Sequence, residues 1–434
     1  MSNNITVSPH WKRIFFPIWI GQVFSLLGSS LVNFALVWYL TKTTGSATVL
    51  AMATLVAVLP EVIVGPFAGA LVDRLNRRIV MIVADGAIAL ASVALGFLFW
   101  LQVVQPWHIY LIMFLRAIGG IFHWPAMQAS TSLMVPEVHL SRVAGLNQAL
   151  RGSVNIVAPP LGALLMSLIP IYGIIAVDVV TALIAITPLL FVQVPQPARA
   201  PESETITPAR LVKDIGIGFQ YLVKWKGAFS LVLLALAVNF LLAPSGTLLP
   251  LMVTKVFNGN AWHLSALEAG SGIGVVLGGI TLGIWGGFRK KIFTSLTGVA
   301  CIGLGVLLMG LTPAAWFWMG LISFFIIGFM GPIANGPLFA ILQARVAPEM
   351  QGRVFTLISA GSAAMIPLAM LIAGPVSDWL GIRIWFIVGG AFAILLGLLG
   401  FTNRDIIHIE DQTSLEATST VSMPAAKEAP GTVN

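Results

Sequence analysis

Residues 65–78 read GPFAGALVDRLNRR and lie where one long apolar run ends and another begins. Gly65 and Gly69 are four apart, so on a helix they share a face that lets another helix approach closely. Within a few residues the chemistry changes. Asp73, Arg74, Arg77 and Arg78 crowd a short turn, and apolar sequence resumes at Ile79. Two membrane helices joined by a tight basic turn with a single acid have this form.

Composition agrees. Of 434 residues, 58% are hydrophobic and only 9% charged, with a mean hydropathy of +0.95. A soluble domain carries about a quarter charged residues, so the chain reads as a polytopic membrane protein. Cys301 is the single cysteine; it precludes an intramolecular disulfide and is expected to be a small core hydrophobe. Lys12 and Arg13 precede an apolar run too long for a signal-peptide core, so the first helix is expected to act as its own insertion signal.

About 20 helical residues cross a bilayer core of about 30 Å. On that measure the chain holds twelve spans, at 14–40, 46–72, 79–102, 107–133, 146–168, 172–193, 228–252, 264–287, 292–312, 315–342, 354–378 and 383–402. The expected organisation is an all-α fold with an N-terminal half (1–193), a cytoplasmic linker rich in Pro and charge (194–227), a C-terminal half (228–403) and a disordered tail (404–434). Nineteen of the 23 Lys and Arg residues fall on one side of these spans. Lys42, Lys255 and Arg383 fall on the other, and Arg116 lies within a span. By the positive-inside rule both termini are cytoplasmic. The net charge of +7 is therefore a topology signal and no mark of nucleic-acid binding.

The halves echo each other. Gly65 and Gly69 before Arg77-Arg78 recur as Gly279 and Gly283 before Arg289-Lys290-Lys291, with Gly287 where Asp73 would fall. Pro136-Glu137 before Arg142-Val143 recurs as Pro348-Glu349 before Arg353-Val354. Such repeats imply two parallel six-helix halves around a central cavity.

The turn at 69–78 resembles the signature of the major facilitator superfamily of transporters, which reads roughly G-x-x-x-D-R-x-G-R-R between the second and third helices. Gly69, Asp73, Arg74, Arg77 and Arg78 match; Asn76 replaces a Gly, and Asn tolerates a left-handed turn. The acid and arginines are expected to latch the halves together at the cytoplasmic mouth, with Asp85, two turns into the third span, joining them. Topology alone is the plainer explanation of the arginines.

Three further features carry chemistry. Arg116 lies deep within a span, where a cation needs a partner or a watery cavity, and with Gly120 it resembles the fourth-helix Arg-x-x-x-Gly pattern of proton-coupled members. Glu61 follows Pro60 near the middle of the second span, one turn before Gly65. Burial favours the neutral form of a carboxylic acid and a nearby cation favours the charged form, so an acid in an alternating cavity can load and release a proton. Glu61 is the expected proton carrier and Arg116 its tuning cation; a permanently paired structural acid or a lining for cationic substrates are the other readings. In the fifth span, Pro159, Pro160 and Gly162 predict a bent, tightly packed helix, loosely similar to the Gly-Pro motif of the superfamily's exporters. Asp178 and Glu268 are second protonation sites or interfacial acids, and Asp378 a capping or interfacial one. Gln22, Asn33, His123, Asn155 and Asn239 are expected to hydrogen-bond between helices.

Enzyme signatures are missing. There is no phosphate-cradling G-x-x-x-x-G-K-[ST], no His/Cys/acid cluster at metal spacing and no nucleophile–base pair, so neither cofactor nor metal is expected. Energy must come from an ion gradient or from the substrate's own. Gly21-Gln22, Ser25, Gly28-Ser29, Thr44-Gly45-Ser46, Pro60, Gly65-Pro66 and Asp73-Arg74 resemble the macrolide-efflux branch of the superfamily. That resemblance implies a cell-membrane exporter of amphipathic drugs that exchanges them for protons. Phe34, Trp38, Trp124, Phe240, Phe325 and Phe329 are the aromatic candidates to line its cavity. An importer or facilitator of a small nutrient, a siderophore exporter, or a sensor of the same fold stay open. Nothing demands an oligomer, so a monomer is expected.

Overall fold

The computed structural model describes residues 11–72, 74–192, 194–196 and 208–411. Twelve helices among them are long and apolar enough to cross a membrane. They are α1 (Trp11–Thr44), α2 (Ala47–Val72), α3 (Arg77–Trp100), α4 (Pro106–Met134), α5 (Glu137–Leu168), α6 (Ile171–Phe191), α7 (Lys226–Thr247), α8 (Ala261–Trp285), α9 (Lys291–Leu311), α10 (Phe317–Arg345), α11 (Pro348–Leu380) and α12 (Arg383–Gly400). The end of the bundle that carries the 72–77 turn is called the motif end here, and the opposite one the far end.

The internal repeat is visible as packing. In the first half α1 packs on α5 and α6, α3 on α4 and α6, and α2 on α4. The same pairings recur as α7 on α11 and α12, α9 on α10 and α12, and α8 on α10. The repeated Pro-Glu pairs open the equivalent helices α5 and α11. The most extensive contacts between the halves are α2 with α11 and α5 with α8, which are again equivalent.

Apolar packing is lopsided along the bundle. At the motif end each half keeps a core of its own. One gathers Phe15, Val72, Met81, Met134 and Leu189; the other gathers Trp225, Ile292, Leu342, Val354 and Ile406. Toward the far end a single cluster joins them, with Leu36, Leu50, Ile109 and Ile174 from the first half and Leu251, Met252, Leu264 and Phe386 from the second. The halves are fused at one end and separate at the other.

Several boundaries differ from the sequence expectation. Helix α5 starts at Glu137 instead of 146, because its polar first turns continue the helix where hydropathy reads a loop. The region expected to be only linker holds a helix, Pro208–Lys224, whose Tyr221 and Leu222 are buried in the second half's motif-end core; residues 197–207 lie outside the described part. The stretch expected to be a disordered tail begins with an ordered segment. Asn403 caps a short helix, Arg404–Ile407, Ile406 and Ile409 are buried, and Glu410 accepts from Ile292 N, in the first turn of α9, at 2.8 Å. Residues 412–434 lie outside the described part. Asn76 takes no left-handed turn: at φ −68° it is the N-cap of α3, its side chain accepting from Arg78 N and Ile79 N, the role its short amide suits best.

Candidate functional site

Two adjoining cavities occupy the motif-facing side of the bundle. The first, of about 430 Å³, lies within the first half and is lined by Gln22, Asp85, Arg116, His123, Trp124 and Arg151. The second, of about 800 Å³, lies between the halves. Glu61, Gly65, Trp124 and Arg151 form one wall; Phe355, Ser359 and Ala363 of α11 form the other. Trp124 and Arg151 stand between the two, the guanidinium carbon 3.6 Å from the ring centroid. Such a cation–π pair contributes about 0.5–2 kcal/mol and holds a charge at the cavity wall.

Arg116 does not serve Glu61. Its Nη1 lies 2.5 Å from Asp178 Oδ2 and also donates to Ser92 Oγ. Ser92 Oγ donates in turn to Asp178 Oδ2 at 2.9 Å, and Ser29 Oγ to Oδ1 at 3.1 Å. Asp178 is only 1% exposed, and both of its carboxylate oxygens have donors, so the pair and its two hydroxyls form a buried network. The cation that shares a cavity with Glu61 is Arg151. Glu61 itself is exposed to that cavity.

Asp85 also departs from expectation. It does not join the motif turn but faces the cavity, accepting from Gln22 Nε2 at 3.1 Å, with His123 Nε2 3.4 Å from its other oxygen. At the start of α3, Arg77 and Arg78 reach sideways to their own half. Arg77 Nη1 donates to Ala129 O at 2.8 Å, and Arg78 donates to Leu189 O at 2.5 Å and Leu190 O at 2.6 Å. These bonds stay within the first half and bridge nothing across the mouth. Arg74 is exposed, and Asp73 lies outside the described residues. Gly65 and Gly69 receive no neighbouring helix: a Cβ on Gly69 would have nothing within 4 Å, and one on Gly65 would meet only Glu61 Cγ at 3.9 Å. Their face borders the space where the halves part.

The aromatics divide. Trp124 lines both cavities, and Phe34 lines a third, nearer the far end. Trp38 is instead buried in the fused core, Phe240 packs beside Met370 and Ala373, and Phe325 and Phe329 stack on each other at 5.9 Å. Helix α5 runs unbroken through Pro159 and Pro160. Gly162 makes room for Phe34, whose ring would lie 2.8 Å from an added Cβ.

Asp378, at the far end of α11, reaches across to the first half. It accepts from Ser46 Oγ at 2.8 Å, Ala47 N at 2.7 Å and Thr48 N at 2.9 Å. It caps α2, not its own helix, and supplies an anion to free amides at a helix N-terminus. Below it Gly374 lets α11 lie flush on α2: a Cβ there would sit 2.9 Å from Thr48 Cα.

The residue that sequence reasoning passed over is Arg151, counted among the charges of the basic side. Its signal was present in the spacing. Asn147, Arg151 and Asn155 are four apart, a polar stripe on one face of α5, and all three line cavities.

Comparison with known proteins agrees with this architecture. The sequence profile described as Major Facilitator Superfamily matches residues 18–370. Macrolide efflux protein A of Streptococcus pyogenes is 34% identical over 390 residues, 90% of this chain and 96% of that protein. The multidrug efflux pump Tap of Mycolicibacterium fortuitum is 27% identical over 86% of this chain and 91% of its own length. Among solved structures, that of a point mutant of the nucleoside transporter NupG superposes with a TM-score of 0.70 at 12% identity, covering 89% of this chain and 99% of that one; that likeness speaks for the fold alone.

Proposed function

The chain belongs to the Major Facilitator Superfamily, as a multi-pass cell-membrane transporter of the macrolide and multidrug efflux branch and not an enzyme, and on that premise we propose that it exports amphipathic drugs, macrolides among them, in exchange for protons. The efflux relatives support the substrate class and the direction. With both termini cytoplasmic, as the placement of Lys and Arg predicts, the motif end faces the cytoplasm, and the protein acts as a monomer.

The observation that carries the reading is the lopsided core. One cluster fuses the halves at the far end while two separate cores leave an 800 Å³ space between them at the motif end. That is a transporter open to one side, and its alternate state would part the far end and close the motif end. In that closure the Gly65 face would meet the small residues Ser359, Ala360 and Ala363 across the cavity, and the Asp73–Arg78 turn would act as the latch. Glu61 is exposed in the cavity it shares with Arg151, which supports the reading that it gains and loses a proton as access alternates. Arg116, locked to Asp178, holds the first half rigid around that site.

The test uses inside-out vesicles with an imposed proton gradient, following a fluorescent amphipathic compound. Wild type should accumulate it and Glu61→Gln should not. Accumulation against the gradient by a Glu61→Gln protein would remove Glu61 from coupling, and no accumulation by wild type would remove the export reading.

A further inference from the structure

The acids of the membrane-spanning helices are nearly all accounted for. Asp178 has Arg116, Asp85 has Gln22 and His123, and Asp378 has the N-terminus of α2. Glu61 opens into a wide cavity with a cation in its wall. Glu268 differs from all of these. It lies two turns into α8 from the far end and makes no hydrogen bond or ion pair with any described residue. The residue lines two cavities at once, of about 380 and 640 Å³, between the halves. Among the described residues no Lys, Arg or His borders either one.

An uncompensated carboxylate among apolar walls is costly, and nothing among the described residues offsets it. The surroundings suggest what does. Val37, Val58, Met113 and Ile366 supply apolar surface, Phe34 and Phe324 aromatic rings, and Asn33, Asn155, Ser30 and Ser271 neutral hydrogen-bonding groups. Apolar walls with a few convergent polar groups at this volume suit a drug-sized body. Aromatic faces favour a cation over a neutral group, and the single fixed charge has the sign to hold one. A proton alone would neutralise Glu268 but would leave the aromatic lining and the paired cavities without a role.

We infer that Glu268 is the cation-recognition residue of the substrate path: it binds the ammonium or other positive centre of an amphipathic organic cation while the two cavities hold the apolar body. The inference rests on the export reading for the identity of the path, and it adds a charge preference that the export reading does not contain. It also separates two duties that the sequence left open on Glu61, with Glu61 carrying the proton from the first half and Glu268 selecting the substrate from the second.

The test is equilibrium binding to the full chain in lipid nanodiscs, without any gradient, so that its result does not depend on direction or coupling. The probes are tritiated tetraphenylphosphonium and triphenylphosphine oxide, one a cation and the other neutral, with the same triphenylphosphorus core. Wild type should prefer the cation. In Glu268→Gln that preference should fall by about tenfold or more, as expected for losing a charged partner in a dry site, while Glu268→Asp should retain most of it. An unchanged preference in Glu268→Gln overturns the inference. So does an equal loss of both probes by a Glu268→Gln protein of wild-type thermal stability, since that marks a residue that shapes the cavity without reading charge. Failed export in vesicles alongside a Glu268-dependent cation preference in nanodiscs would sink the export reading and leave the recognition site standing.

Discussion

Removing the Asp378 carboxylate should release the far end of the bundle. Three donors from the first half converge on it, Ser46 Oγ and the amides of Ala47 and Thr48, all within 2.9 Å. The two amides belong to the first turn of α2, which has no intrahelical acceptor for them. A side-chain cap at such a position contributes about 0.5–2 kcal/mol, and the charge adds about 0.3–1 kcal/mol from the helix dipole. Asp378 is exposed, so solvent screening puts the total near 1–2 kcal/mol. Because these bonds join the two halves, they exist only while the far end is closed. Their loss should therefore shift the equilibrium toward the far-open state by about five- to thirtyfold. Asp378→Asn keeps one acceptor and should fall between wild type and Asp378→Ala. The assay is a distance distribution between spin labels at Lys42 and Leu380, which flank the contact on opposite halves; Cys301 is the sole native cysteine, so one further substitution clears the background. The far-open population should rise in the order wild type, Asn, Ala. An unchanged distribution in Asp378→Ala would refute the reasoning.

Two further outcomes follow from the same geometry. Gly65→Leu adds a side chain where the structure is open, so the protein should express and keep its thermal stability, yet turnover in vesicles should drop at least tenfold because the motif end can no longer close. Arg116→Ala strands Asp178, 1% exposed, without its cation, which costs about 3–5 kcal/mol; the melting temperature in detergent should fall sharply, and the double change Arg116→Gln with Asp178→Asn should restore much of it.

The span pattern was legible because a bilayer imposes a length and a polarity that any single helix must meet by itself. The apolar run from Ile79, the cluster of arginines before it and the paired repeats therefore suffice for twelve helices in two halves. The superfamily turn was legible for the same local reason. What could not be read were the partners. Arg116 and Asp178 lie 62 positions apart and meet only because α4 and α6 both pack on α3. Asp85 lies two turns into α3, where the sequence leaves it open to either the motif turn or the cavity, and the rotation of α3 decides which. Arg151, near one end of the expected fifth span, looked like one more topological charge, and only the packing around α5 shows that it stands at the cavity wall beside Trp124. Asp378 and the first turn of α2 are more than 300 positions apart. By itself the sequence determined the architecture, through the energetics of placing each segment in or out of the membrane. Tertiary structure alone decided which end is closed, which acids are paired and which are left facing a cavity, because those depend on helix rotation and crossing, which no one segment specifies.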